Sequence, residues 1–263
     1  MANKSPEISL AIIALNEAAN IERCIRSVPI ASDIVVIDSG SSDETAAIAK
    51  LCGARVVQNE WLGFRDTKRL ATEQCQHDWV LSLDADEALS PEALAEVTSI
   101  LADPNLDNFD GFVFPRLSWN LGRWMRHGGW YPDWQLRLFH RRRAKWEGGE
   151  HVHERVEAVR TRRLSSPITH WPFVQLTEQI DTNNRYSTLG AQECVRRKVR
   201  FSLGKLVFKP VSKFLETYLI KGGFRDGLPG FIVAVGAAYS VFLKFAKLWE
   251  LEQKSSLSQI DMK

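Results

Sequence analysis

The chain reads as an α/β protein built on a Rossmann-like, mostly parallel sheet with flanking helices, followed by a helical C-terminal appendage. Three observations predict this. Short apolar runs alternate with amphipathic stretches from Ile8 to about residue 103; acidic residues stand where two of those runs end; and beyond residue 105 aromatic-rich, glycine-broken segments give way to a basic and then apolar tail. The first pattern is that of βαβ units, whose parallel strands are buried on both faces and therefore read as continuous hydrophobic runs. With 263 residues, 44% hydrophobic and 25% charged, the chain can build one large α/β domain and an appendage.

In chain order, strands are expected at Ile8–Ala14, Ile34–Asp38, Arg55–Gln58 and Trp79–Asp84. Helices are expected at Ala18–Ser27, Glu44–Cys52, Phe64–Gln76 and Pro91–Ala102, the last opened by Ser90 as cap and Pro91 at the first position. Residues 106–175 alternate around glycine and proline and predict antiparallel strands and loops added to the same sheet. A polar helix is expected from Leu176 to about Arg200. Between Arg196 and Arg225 nine Lys or Arg face one acid, Glu216, and an apolar stretch follows from Leu228 to Trp249. Its uninterrupted apolar part, about 14 residues, is shorter than the roughly 18–20 a spanning helix needs. A buried core helix and a peripheral membrane attachment fit it equally.

Several function classes drop out on composition. A net charge of +2 gives no nucleic-acid partner, because affinity for a phosphate backbone comes from many clustered cations. The four cysteines form no CxxC pair, which argues against a zinc ribbon or a dithiol site and fits a reducing compartment. The N-terminal apolar run lacks a small-residue cleavage site and is read as a first strand, not a signal peptide. Neither GxGxxG after a strand nor GxxxxGK[ST] occurs, so dinucleotide oxidoreductases and P-loop kinases fall in rank.

Placement of the acids carries the functional reading. Asp38 ends the strand IVVID, and Asp84, Asp86 and Glu87 follow the strand WVLSL. Open parallel sheets bind ligands outside the carboxyl ends of their strands, so both sets of carboxylates are delivered to the ligand edge. Three acids within four residues repel one another unless a cation neutralises them, and a divalent metal would also let them hold a diphosphate. In DSGSSDET, residues 38–45, Ser42, Asp43 and Glu44 suit the start of a helix. Asp38 stands apart, on the strand end, able to accept hydrogen bonds from a base or ribose.

Leu15-Asn16-Glu17 after the first strand, DSGSSDET, and DWVLSLDADE, in this order and spacing, resemble the family-two glycosyltransferases of GT-A type. GGWYPDWQLRLFHR, HVHERV and the apolar tail resemble one bacterial subgroup, the lipopolysaccharide core β-1,4-glucosyltransferases acting on inner-core heptose. The resemblance implies a GT-A-type nucleotide-diphospho-sugar transferase fold and an inverting, metal-dependent transfer of a hexose, glucose being the expected sugar, from a UDP-sugar. The expected organisation is a nucleotide-sugar-binding half over residues 1–105, an acceptor-binding half of the same domain over 106–175 and a helical, basic and apolar C-terminal region over 176–263, for which membrane attachment is one of the two readings given above. Leu15, Glu17, Asp38, Lys68 and Asp84 would line the nucleotide sugar, and Asp86, with Asp84 and a possible contribution from His153, would hold Mg²⁺ or Mn²⁺. Arg69 departs from the family motif, where Asn is expected.

The acid before an aromatic and an arginine in YPDWQLR, Asp133, matches the family's general base, with Glu154 in reserve. Trp130, Tyr131 and Trp134 offer a sugar-binding surface, and Arg137 and Arg141–Arg143 could meet phosphates. A zinc site at His151 and His153 lacks further marked ligands. The expected partners are a UDP-sugar, a lipopolysaccharide inner-core acceptor and the inner-membrane surface, with the protein peripheral on its cytoplasmic face. Two other readings share these residues: a polyprenyl-phosphate sugar synthase, whose anionic acceptor needs no base, and a non-catalytic membrane-peripheral sugar-nucleotide binder. A metal-dependent nucleotidyltransferase, releasing pyrophosphate, is a third.

Overall fold

The computed structural model describes residues 5–148 and 154–260. The elements in order are β1 (Ile8–Ala14), α1 (Ile21–Arg26), β2 (Ala31–Asp38), α2 (Thr45–Leu51), β3 (Arg55–Gln58), α3 (Phe64–Glu73), β4 (Trp79–Asp84), β5 (Glu87–Leu89) and α4 (Pro91–Leu101). There follow β6 (Gly111–Asn120), β7 (Arg123–Trp124), β8 (Asp133–His140), β9 (Lys145–Glu147), β10 (Arg155–Glu157), β11 (Thr161–Arg163), β12 (Ile168–His170), α5 (Leu176–Arg196), α6 (Leu203–Leu215) and α7 (Gly227–Ile260).

The main sheet runs β3-β2-β1-β4-β8-β6-β12-β5, with β11 beside β6. Its first four strands are parallel, and β8 and β6 add antiparallel strands next to β4. All seven residues of β1 are buried, as a central strand covered on both faces requires. One face packs Leu10, Ile12, Leu81 and Leu83 against Ile21 and Cys24 of α1 and Ala93 and Val97 of α4. The other packs Ala11, Ile13 and Val80 against Ala71 and Cys75 beneath α3. The fold is the α/β architecture expected from sequence, with β1, β3 and β4 at the predicted bounds.

Helix starts shift for tertiary reasons. Helix α1 begins at Ile21 and not Ala18, because the Glu17 carbonyl accepts from the N–H groups of both Asn20 and Ile21 and holds residues 18–20 in a turn. Helix α4 starts as predicted, Ser90 Oγ accepting from the Ala93 N–H at 3.1 Å.

Contacts divide the chain into two units. One runs through Leu117 and resumes over Pro132–Trp171; the other comprises Ser118–Tyr131 and the chain from Pro172 onward. The segment carrying Trp130 and Tyr131 groups with the C-terminal helices. In that second unit the buried Asp226 carboxylate accepts from the N–H groups of Arg126 and His127 at 3.0 and 2.8 Å, tying the glycine-rich loop to the start of α7.

Candidate active site

At the carboxyl end of β4 the first unit carries a chain of alternating charges. Lys68 from α3, nearly fully buried, places Nζ 2.8 Å from Asp84 and 3.1 Å from Glu154. Arg137 from β8 reaches Asp84 and Glu87, each at 2.6 Å. Arg116 from β6 reaches Glu87 at 3.0 Å and Asp133 at 2.6 Å, and Gln135 donates to the other Asp133 oxygen at 2.9 Å. Glu87 is wholly buried and also accepts from the Asp84 N–H at 3.1 Å, which closes the tight turn between β4 and β5.

The sequence argument that Asp84, Asp86 and Glu87 require a metal to offset their repulsion is therefore corrected. Lys68, Arg137 and Arg116 already neutralise Asp84 and Glu87. Burial on its own would raise the Asp84 carboxyl, but the cations of Arg137 and Lys68 prevail and hold it well below the usual carboxylate range. Glu87 is likewise lowered: burial and Asp84 oppose, Arg137 and Arg116 win. Burial pulls the Arg137 guanidinium down, yet Asp84 and Glu87 push it above its ordinary value, so it stays charged.

Asp86 lies outside this network. Its carboxylate faces His170 Nε2 at 3.3 Å, and its backbone carbonyl accepts from the Trp171 N–H at 2.9 Å. Arg23 stacks over the Trp171 ring, 3.6 Å from the centroid. Across from Asp86 is Glu17, whose carboxyl is raised above its ordinary value by burial, against a hydrogen bond from Asn20 and with Asp86, Asp43 and Asp84 adding to the rise. Among the described residues no three His, Cys, Asp or Glu side chains are grouped to hold a metal. Mg²⁺ or Mn²⁺ on a nucleotide diphosphate needs only one or two protein ligands, the phosphates and waters completing the shell. Asp86 and His170 fit that need; His151 and His153 lie outside the described residues.

The signature motifs also do structural work. Asn16 takes a left-handed φ of 57°, and its Oδ1 accepts from the Ser42 N–H at 2.8 Å, while its own N–H donates to Ser41 Oγ at 2.8 Å. The Glu17 N–H donates to Thr45 Oγ1 at 2.8 Å, and Asp43 accepts from the Ala18 N–H at 3.1 Å. The two loops after β1 and β2 are thus laced together, leaving Leu15 half exposed at the strand end.

Asp38 and Asp84 reach the same sheet edge, but β1 lies between their strands and they face opposite ways. Asp38 aligns with Ala14 and Asp84 with Ile13, consecutive residues whose side chains leave β1 on opposite faces. Asp38 is fully buried, its oxygens accepting from Ser41 Oγ at 2.5 Å and Gln58 Nε2 at 2.6 Å. A single cation shared by Asp38 and Asp84 is not what this register builds.

The family model described as glycosyl transferase family 2 matches residues 9–164. The chain belongs to that family. The glycosyltransferase is 33% identical over 267 residues to the lipopolysaccharide core biosynthesis glycosyltransferase LpsC of Rhizobium meliloti (strain 1021), covering 97% of this chain and 96% of that one. It is 31% identical to an uncharacterized glycosyltransferase of Rickettsia typhi, covering 95% of this chain and 89% of the other. Among solved structures, S. aureus TarS 1–349 in complex with UDP-GlcNAc aligns over 90% of this chain and 81% of its own, with a TM-score of 0.48 and 12% identity. Glucosyl-3-phosphoglycerate synthase from Mycobacterium tuberculosis with Mn²⁺ and UDP-glucose aligns over 43% and 44%, with a TM-score of 0.34 and 25% identity.

In this glycosyltransferase, Lys68, Asp84, Asp133 and Glu154 belong to one ion network, and Arg137 is its central cation. Arg137, read from sequence as a phosphate contact, is 3% exposed and aimed at the carboxylates of Asp84 and Glu87. Trp134 is part-exposed beneath the Arg163 guanidinium, 4.7 Å from its ring centroid. Arg141 and Arg142 pair with Asp78, and Arg143 with Asp107, as edge residues do. Sequence reasoning missed Arg116 and His170. Arg116 gave no signal beyond being a charge inside an apolar strand; His170 stands one residue before Trp171 at the end of a three-residue strand.

Proposed function

We propose that this glycosyltransferase moves a hexose, glucose being the expected sugar, from a UDP-sugar to the inner-core heptose of lipopolysaccharide, with inversion. The observation that carries the acceptor class is likeness to LpsC along nearly the whole length of both chains, the acceptor-side segments included. Donor chemistry is supported by the acid-lined edge of β4. Asp86, with His170 beside it and Asp84 behind, would hold Mg²⁺ or Mn²⁺, which when bound supplies the charge that stabilises a leaving diphosphate. Leu15, Glu17, Asp38 and Lys68 would line the nucleotide.

Asp133 is the proposed base, with Glu154 in reserve. Arg116 and Gln135 hold the Asp133 carboxylate from two sides, fixing its orientation so that an oxygen lone pair can take the proton of the attacking hydroxyl. Trp134, next to it, offers the apolar face on which a sugar ring stacks. Lys68 holds Asp84 and Glu154 in place as donor binds. The acceptor being lipid-borne, the enzyme would work at the cytoplasmic face of the inner membrane.

The test is a screen of UDP-sugars against heptose-exposing truncated lipopolysaccharide, reading UDP release and product linkage with and without Mn²⁺ or Mg²⁺. Metal-dependent UDP release with a new β-linked hexose on heptose is expected. Release of pyrophosphate, or transfer only to a polyprenyl phosphate, would overturn the proposal.

A further inference from the structure

Helix α6 in the second unit has no buried residue. Leu203, Val207, Val211 and Leu215 recur every fourth position with Phe208 among them, and all five are exposed, Leu203 by 68% and Phe208 by 71%. At about 100° per residue they share an arc of about 140°. Of the residues that hold α6 to its neighbours, Leu206 lies outside this arc and Phe214 lies within it, in the last turn. Phe214 meets Phe231 of α7 edge-on at 5.9 Å, and Leu206 joins the cluster of Ala191, Phe245 and Leu248. Val207, Phe208 and Val211, in the middle of the helix, nonetheless remain exposed. Lys205, Lys209 and Lys213 form a parallel stripe beside the apolar one, again at every fourth position.

Charge decides what covers such a face. Nine Lys or Arg against one acid between Arg196 and Arg225 make two copies of this surface repel each other. An anionic lipid surface complements both stripes at once, taking the apolar side chains into the acyl boundary and the lysines to the headgroups. Spanning is a poorer fit. Gly223–Lys254 is long and apolar enough to cross a membrane, but Lys247 on it donates to Asn184 Oδ1, Ser187 Oγ and Thr188 Oγ1 of α5 at 2.6, 2.8 and 2.7 Å. Hydrocarbon around α7 would have to admit polar α5 as well.

We propose that α6 is an interfacial docking helix, lying in the headgroup plane of an anionic bilayer. This rests on the membrane location proposed above and adds the element that makes the contact. The full chain is sedimented with vesicles of phosphatidylcholine alone and of phosphatidylcholine mixed with phosphatidylglycerol, beside the triples Leu203→Ser/Val207→Ser/Phe208→Ser and Lys205→Gln/Lys209→Gln/Lys213→Gln. Leu203, Val207, Phe208 and Lys209 are exposed and Lys205 and Lys213 half-buried, so each variant is first required to match the parent's circular dichroism and unfolding midpoint.

The parent should bind the mixed vesicles and lose binding at high salt. Each cation near an anionic surface contributes about fivefold, so the lysine triple should weaken binding by about a hundredfold, and the apolar triple by at least about tenfold. Binding by both triples equal to the parent's would refute α6 as the contact while leaving the location standing. No parental binding would refute both, and a dimer in light scattering that either triple dissociates would refute α6 as the membrane contact. Transfer to detergent-dispersed acceptor is measured separately and reports on the sugar-transfer reading alone.

Discussion

Arg137 is the residue whose replacement tests the electrostatic account most directly. Arg137→Met keeps the length and removes the charge, leaving Asp84 and Glu87 with one fewer counter-cation each. Breaking a buried ion pair from one side costs about 3–5 kcal/mol, because a desolvated charge is left behind. Here Asp84 retains Lys68 at 2.8 Å and Glu87 retains Arg116 at 3.0 Å, so the lower end, about 3 kcal/mol, applies.

The sign of the pH dependence follows from the directions of the shifts. Both carboxyls sit below their ordinary values when folded, so their contribution is complete above the unfolded-chain pKa of about 4 and fades as pH falls through the lower folded values. Without Arg137 the folded values rise, and protonation near pH ~4 relieves the variant while it begins to cost the parent. Urea unfolding followed by tryptophan fluorescence should thus show a gap of about 3 kcal/mol at neutral pH that narrows toward pH ~4.5. A gap under about 1 kcal/mol at neutral pH, or one that widens on acidification, would refute the reasoning.

Other expectations follow from the same geometry. Asp86→Asn and His170→Ala should each weaken metal-dependent UDP binding in calorimetry by more than the roughly tenfold typical of losing an outer-shell partner; parental affinity in His170→Ala would remove that residue from the metal site. Asp133→Asn should lower turnover by about 10²–10⁴ while UDP-sugar binding holds, and near-parental turnover would move the base to Glu154 or to an acceptor that needs none. Burial pushes the Cys75 thiol up to about 12, with Asp33 adding to the rise, and burial also raises Cys24 well above its ordinary value, so iodoacetamide on the native protein near pH 8 should label Cys52 and Cys194 only. Mass spectrometry showing early alkylation of Cys24 or Cys75 would contradict the packing described.

How far the sequence foretold this molecule depends on whether a feature is local. Strand β1 announces itself because every residue is buried, and α4 because Ser90 and Pro91 are chemically suited to begin a helix. The start of α1 does not, since it is set by loop lacing between Asn16–Ala18 and Ser41–Thr45, more than 20 residues apart. The acids of the β4 turn are visible as a cluster, but their counter-ions are not. Arg116 and Arg137 arrive on antiparallel strands whose position beside β4 is a matter of strand order. A single step of register sends Asp38 and Asp84 to opposite faces, and no composition argument contains that step.

Helix α6 shows the complementary limit. Its every-fourth-residue apolar pattern is passed over in the sequence, where the segment reads only as basic, and periodicity by itself cannot say what covers such a face. Only the neighbours can: Phe214 and Leu206 make the contact with protein, while Val207, Phe208 and Val211 stay exposed beyond the unit's own core. Exposing such a stripe to water is unfavourable in proportion to its apolar area, and lysines beside it would gain nothing from a neutral partner. The pairing of an uncovered apolar stripe with a cationic one is what turns a folding pattern into an argument about surroundings.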